Sequence, residues 1–125
     1  MTASPTPTSS PCVDHAAALL PPEQAQAQAS ILKALADPVR LRLMHHIAAA
    51  PGGTVCSCTL PEALGISQPT MSHHLSRLVA AGLLTRERRG RWAHYSIDSA
   101  EVRRQIAHLS SLLPLPETDD PTPAP

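Results

Sequence analysis

The chain has 125 residues, no net formal charge, no phenylalanine, one tryptophan and one tyrosine. This length fits one domain or two small ones, with an aliphatic core, and such a composition favours helices. No apolar run approaches the about 20 residues of a membrane span, and no signal peptide is recognisable, so we expect a cytoplasmic protein without a membrane partner. Three cysteines, an odd number, argue against a disulfide framework and leave metal or redox chemistry open.

The two ends of the chain differ in composition from its middle. Residues 1–20 and 114–125 are rich in proline and polar residues and too poor in apolar ones to be ordered by burial, so both are predicted to be disordered tails. The predicted domain therefore spans residues 21–113. So small an aliphatic core is marginal as a monomer, which favours a dimer.

Two helices are predicted in the first half of this domain. Residues 22–36 are rich in strong helix formers. Asp37 followed by Pro38 is typical of the N-cap and first position of a second helix, whose apolar residues recur at helical spacing. The segment Pro51–Gly53 ends that helix.

A short helix, a tight turn and a longer helix are predicted next. Thr59 and Glu62 have the spacing of a capping box, which predicts a third helix that ends at Gly65. Ser67 then caps a fourth helix, which runs from Gln68 to Ala81.

The fourth helix has a polar face that suits DNA. At about 100° per residue its buried stripe comprises Met71, Leu75, Leu78 and Val79. The outward face carries short donors and acceptors with one cation, namely Thr70, Ser72, His73, Ser76 and Arg77. Such side chains suit phosphates and base edges, and Gln68 lies at the exposed helix start, where base contacts are usual. His74, on the shoulder of the stripe, is assigned to packing or capping. A merely solvated helix is the alternative, although such a helix usually carries salt-bridging charges.

A β-hairpin and a last helix complete the domain. Residues 83–88 and 92–97 read as strands, and the basic hairpin tip would reach DNA through Arg88, Arg89 and Arg91. Asp98 and Glu101 form a second predicted capping box. The fifth helix has one narrow apolar seam, which packs on a second subunit or on its own core. Between positions 66 and 104, seven arginines face three acidic residues, a net charge of +4 that suits a nucleic-acid backbone or a solvated surface. This order of elements describes a mainly α-helical winged helix-turn-helix.

The paired cysteines lie directly before the third helix. If Thr59 caps that helix, Cys56 and Cys58 are in extended chain and point the same way, near a helix end that favours thiolates. Two thiolates rarely close a metal site, so Cys12 is the candidate third ligand and His15 the candidate fourth. A thiol redox sensor that forms a disulfide or persulfide is the alternative, and so is a metal buffer that never touches DNA. No nucleophile–base pair or His-Glu-x-x-His string is present, so no catalytic residue is assigned and no enzyme is expected.

The strings ALADPVRLRLMHHI and LGISQPTMSHHLSRLVAAGLLTRERRGRWAHYSI strongly resemble the ArsR/SmtB family of bacterial metal-responsive repressors, over about residues 30–113. The resemblance implies a homodimer that pairs through its first and last helices. It also implies binding to a palindromic operator in double-stranded DNA and release when an inducer binds. The family's recognition-helix positions correspond to Ser67, Gln68, Thr70, Ser72, His73 and Arg77.

The resemblance extends to the cysteine segment. Family members form a metal site from N-terminal cysteines and cysteines at the start of the helix before the recognition helix. Pro61 stands where the arsenic repressors have a third neighbouring cysteine, so Cys12 would have to replace it. The family's other site, on the last helix, is absent because its ligand positions fall on Ser99, Glu101, Leu112 and Leu115. Three soft thiolates suit As(III) or Sb(III), the expected inducers, whereas adding His15 would suit zinc, cadmium or lead.

Overall fold

The computed structural model describes residues 19–116, which form five α-helices and three short β-strands. The helices are α1 (Pro22–Leu35), α2 (Pro38–Ala49), α3 (Leu60–Leu64), α4 (Gln68–Ala80) and α5 (Ser99–Leu112). The strands are β1 (Thr54–Cys56), β2 (Leu84–Arg89) and β3 (Trp92–Ile97). The predicted winged helix-turn-helix is therefore confirmed, with helix bounds that differ from prediction by about one residue. No helix in the described part of the chain is both long and apolar enough to cross a membrane.

The sharp corner between α1 and α2 is set by Asp37. Its carboxylate accepts hydrogen bonds from the backbone N–H groups of Val39 at 2.8 Å and Arg40 at 3.1 Å, and Pro38 occupies the first helical turn. These bonds satisfy donors that the helix itself leaves unpaired, as the sequence predicts. The backbone N–H of Arg40 is the main reason why the pKa of Asp37 lies below its ordinary value of 3.8.

The sheet contains one strand that the sequence did not reveal. Its order is β1-β3-β2, with both pairs antiparallel, so β3 lies between the hairpin partner and β1. In β1, Thr54 lies opposite Ser96, and their hydroxyls are 2.7 Å apart. A strand of three residues is too short to show alternation in the sequence, which is why only its pairing reveals it.

Both predicted capping boxes need correction. Thr59 already has helical backbone angles and makes no cap hydrogen bond, because Ser57–Thr59 form a 3₁₀ turn that leads into α3. Its hydroxyl donates to the carbonyl oxygen of Cys56 at 3.1 Å instead. At α5 only half of the box forms. The Asp98 side chain accepts a hydrogen bond from the backbone N–H of Glu101 at 3.1 Å. The Glu101 carboxylate does not return this bond, because it pairs with Arg104 and accepts from the side-chain amide of Gln105. The backbone N–H of Asp98 donates to the carbonyl oxygen of Leu83 instead.

The core lies where α2, α3 and α4 meet the inner face of the sheet. Its buried members are Ala34, Leu43, Ile47, Leu60, Leu64, Met71, Leu75, Leu78, Leu83, Leu84, Ala93 and Tyr95. Three of the four residues predicted for the buried stripe of α4 are among them, and Val79 is half-buried. Gly65, at the end of α3, adopts φ +71°, a left-handed conformation that lets the chain turn into α4.

Candidate DNA-binding surface and cysteine site

The polar face of α4 is open to solvent along its whole length. All the residues assigned to recognition on this helix are exposed, namely Ser67, Gln68, Thr70, Ser72, His73 and Arg77. The Ser67 hydroxyl accepts from the backbone N–H of Thr70 at 3.4 Å and donates to its side-chain oxygen at 3.0 Å. The N-cap interaction therefore fixes the two hydroxyls at the end of the helix that would enter a groove.

A buried arginine ties α4 to the rest of the domain. The Arg40 guanidinium donates through Nε to the carbonyl oxygen of Ala34 at 2.6 Å and through Nη2 to that of Lys33 at 3.5 Å. Its Nη1 lies 3.0 Å from Nδ1 of His74. Because arginine only donates hydrogen bonds, Nδ1 of His74 is the acceptor in this contact. The assignment of His74 to packing agrees with this contact.

The arginines of the hairpin lie on different faces of the sheet. Arg86 and Arg88 face the same side as the buried Tyr95 and Ala93 opposite them, whereas Arg89 faces the other side, because side chains alternate along a strand. Arg89 forms an ion pair with Glu87 at 3.0 Å, and Nε of Arg88 donates to the carbonyl oxygen of Gly90 at 3.4 Å. The tip residues Arg88, Arg89 and Arg91 are all exposed.

The two neighbouring cysteines meet between β1 and α3. Cys56 is the last residue of β1, Cys58 lies in the following 3₁₀ turn, and a disulfide bond joins their sulfur atoms. The Cys56 sulfur also accepts the backbone N–H of Cys58 at 3.3 Å. The sulfurs meet through a tight turn rather than through the extended, Thr59-capped chain expected from the sequence. The bond joins residues two positions apart and does not link distant elements, so it is not a framework disulfide.

Cys12 and His15 lie outside the described residues, so their distance from this pair is undefined. Between residues 19 and 116, no three side chains of His, Cys, Asp or Glu are grouped so as to hold a metal ion. His94 on β3 is paired with Cys56 on the neighbouring strand β1. Nδ1 of His94 is buried and has no hydrogen-bond partner in the described part of the chain.

Comparison of the sequence and the structure with known proteins identifies the family to which the chain belongs. The family described as a helix-turn-helix domain matches residues 35–87. The transcriptional repressor SmtB homolog of Synechocystis sp. is 40% identical over 91 residues, which cover 70% of this chain and 67% of that protein. NolR from Sinorhizobium fredii, a crystal structure, is 30% identical with a TM-score of 0.60 and covers 75% of this chain and 94% of its own.

The chain belongs to the ArsR/SmtB family.

Arsenical resistance repressors are among the relatives of this ArsR/SmtB protein. The one from Bacillus subtilis (strain 168) is 39% identical over 70 residues, which cover 56% of this chain and 65% of that protein. The chain spans only about half to two thirds of the length of such curated relatives. The relatives are helix-turn-helix transcription regulators and not enzymes.

Four residues near these surfaces escaped prediction. Arg40 follows the helical spacing of Leu43 and Ile47, so its place on the buried face of α2 was readable from the sequence. Arg86, Tyr95 and His94 carry no such signal, because only the register of the strands places them.

Proposed function

We propose that this ArsR/SmtB protein is a metal(loid)-responsive transcriptional repressor that binds a palindromic operator as a homodimer and leaves it when As(III) or Sb(III) binds its cysteines. The observation that carries the proposal is the position of Cys56 and Cys58. Their sulfur atoms are adjacent at the entrance to α3, which leads through Gly65 directly into α4. A ligand at this point acts on the helix-turn-helix itself.

Operator binding rests on the exposed face of α4 and on the hairpin. Gln68 and Thr70 at the helix start are the candidates for base contacts, with Ser67, Ser72, His73 and Arg77 along the groove. Arg88, Arg89 and Arg91 supply positive charge for the adjacent minor groove or backbone. The net positive charge of this half of the domain supports that assignment.

Homodimer formation rests on an uncovered apolar groove between α1 and α5. It has a volume of about 190 Å³, and its lining includes Leu32, Leu35, Met44, Val102, Ile106 and Leu109. Within the described chain, Leu32 is 41% exposed and Ile106 is 64% exposed. Leaving such apolar surface in water is costly, and a second subunit that covers both helices removes that cost.

The inducer site consists of Cys56, Cys58 and Cys12, with His15 as a candidate fourth ligand. The adjacency of the first two sulfurs fits a shared ion once the disulfide is reduced, because thiolates are the metal-binding form. Three thiolates favour As(III) or Sb(III), and the relation to arsenical resistance repressors supports that choice. If His15 also binds, cadmium, lead or zinc becomes the inducer.

Release needs only a small rearrangement. Drawing Cys12 to the start of α3 would reorient α3, and with it α4, so that the two recognition helices no longer match the half-site spacing. A coupling free energy of about 1–3 kcal/mol between the two sites is typical of allosteric proteins and lowers operator affinity severalfold or more.

The test is a fluorescence anisotropy titration of a promoter-region duplex with reduced protein. Arsenite, antimonite, cadmium, lead and zinc are added in turn to the wild type and to Cys12→Ser, Cys56→Ser and Cys58→Ser. Ser57→Ala, between the two cysteines, is the matched control and should respond like the wild type. Release by cadmium but not arsenite would exclude the arsenic assignment, and a normal response of Cys12→Ser would exclude the three-thiolate site.

The disulfide between Cys56 and Cys58 favours a second candidate, a thiol redox sensor. In that case hydrogen peroxide takes two electrons and two protons from the thiol pair, its O–O bond breaks, the S–S bond forms, and two water molecules leave. Operator affinity would then differ between the reduced and the peroxide-treated protein without any metal. Equal affinity in the two states would exclude this candidate.

A further inference from the structure

A groove runs between α4 and the hairpin, on the side of the sheet that faces the helix. Its volume is about 540 Å³. Its walls come from both elements and are formed by Ser72, Ser76, Val79, Ala80, Arg86 and Tyr95. No acidic side chain is among these residues, and one wall presents a cation while the other presents hydroxyls.

The cation in this groove is held in place by a buried tyrosine. Arg86 and Tyr95 lie directly opposite each other on β2 and β3, and Nε of Arg86 donates to the Tyr95 hydroxyl oxygen at 3.2 Å. Tyr95 is only 8% exposed, so its ring is fixed by the core, whereas the Arg86 side chain is exposed. An arginine anchored through Nε keeps both terminal nitrogens for another partner, and neither terminal nitrogen of Arg86 has a hydrogen-bond partner within residues 19–116.

These features fit a phosphate group. Arginine pairs with phosphate through two parallel N–H donors, and serine hydroxyls are common additional donors to DNA backbone oxygens. Holding the guanidinium before the anion arrives lowers the ordering cost of binding. Arg89, by contrast, already pairs with Glu87 on the opposite face of the sheet.

We propose that this groove binds a backbone phosphate of duplex DNA, that Arg86 is the cation that pairs with it, and that Tyr95 is the residue that positions Arg86. The proposal rests on the proposed function, because it locates where the operator backbone lies when α4 enters a major groove. It adds a contact that the sequence did not single out and that carries no base specificity.

The experiment measures the salt dependence of binding to the promoter duplex for the full chain. Arg86→Ala should reduce the slope of log Kd against log salt by about 0.9 for each groove in the complex, because one released counterion is lost per phosphate contact. Affinity should fall by a similar factor on operator and on unrelated duplex. Arg42→Ala, which removes the same charge from an exposed position on α2 and outside the basic cluster of residues 66–104, is the matched control and should leave the slope unchanged.

The role of Tyr95 is tested by Tyr95→Phe, which removes only the hydroxyl. It should weaken binding severalfold in the wild-type background and have no effect in Arg86→Ala, since the two residues act as one unit. Additive effects in the double variant would overturn the positioning role, and thermal unfolding of both variants shows whether the fold is intact. An unchanged salt slope in Arg86→Ala would overturn the phosphate site. Failure of the wild type to bind promoter DNA at any salt concentration would instead overturn the proposed function.

Discussion

Nη1 of Arg40 and Nδ1 of His74 lie 3.0 Å apart in the interior, where the two residues are 8% and 9% exposed. The same guanidinium holds the last carbonyl groups of α1. One side chain thus connects α1, α2 and α4, so it links the helix that we propose to contact DNA with the helix that we assign to the dimer interface.

The contact between Arg40 and His74 predicts that substituting His74 changes the free energy of unfolding much more than substituting its neighbour His73. His74→Leu should lower the free energy of unfolding by about 1.5–3 kcal/mol, because a buried charged donor loses its acceptor. His73→Leu, on the exposed face, should change it by about 0.5 kcal/mol or less. Urea denaturation of both variants measures the difference, and His74→Gln, whose amide oxygen can accept, should recover part of the loss. Equal stability of the two leucine variants would show that the contact contributes nothing.

The N-cap of α2 predicts a pH dependence. Because the pKa of Asp37 is lower in the folded protein than its ordinary value, the carboxylate stabilises the fold above the unfolded pKa near 3.8. That contribution is lost as the pH falls through the lower folded pKa. The difference in Tm between the wild type and Asp37→Asn, which keeps a capping oxygen at every pH, should be constant at neutral pH and change only in this acidic range. A difference that changes mainly near neutral pH would point to another group.

Gly65, in the turn between α3 and α4, predicts a loss of stability on substitution that comes from backbone strain alone. Gly65 has φ +71°, and a Cβ built there meets no atom within 4 Å. Gly65→Ala should therefore destabilise the protein by about 1–2 kcal/mol through conformational strain alone. Gly65→Asn should cost less, since asparagine tolerates this region better. Thermal unfolding compares the two, and equal losses would mean that something other than φ limits this position.

The groove between α1 and α5 predicts which substitutions weaken the homodimer. Ile106→Glu should raise the dimer dissociation constant by about tenfold or more, because a charge would be buried in an apolar interface. Leu41→Glu, at an equally apolar but distant exposed position, is the matched control. Sedimentation velocity distinguishes monomer from dimer. If Leu41→Glu dissociates the dimer and Ile106→Glu does not, the interface lies elsewhere.

The cysteine pair predicts a simple alkylation pattern. Because Cys56 and Cys58 are bonded, one of the three cysteines should react before reduction and all three should react after it. Cys58→Ser should give two alkylated cysteines under both conditions. Intact-mass spectrometry of protein prepared without reductant makes this count, and three alkyl groups before reduction would show that the pair is reduced as isolated.

Much of the fold was readable from local chemistry. Asp37 and Ser67 act as N-caps as predicted, and the apolar spacing of α4 selected Met71, Leu75 and Leu78 correctly. The prediction that Thr59 caps α3 was wrong, because a capping-box spacing does not reveal that a 3₁₀ turn already precedes the helix. The strand β1 was missed for a similar reason, since three residues have no periodicity of their own.

By itself, the sequence determined the helix-turn-helix, its exposed polar face and the closeness of two cysteines that are two positions apart, because these follow from caps, periodicity and chain geometry. Only the tertiary structure decided which distant residues meet. Arg40 reaches His74 across 34 positions of sequence, and Arg86 is set against Tyr95 by the register of two strands. Such pairs depend on how helices pack and strands align, and those are properties of the whole core that no local pattern encodes.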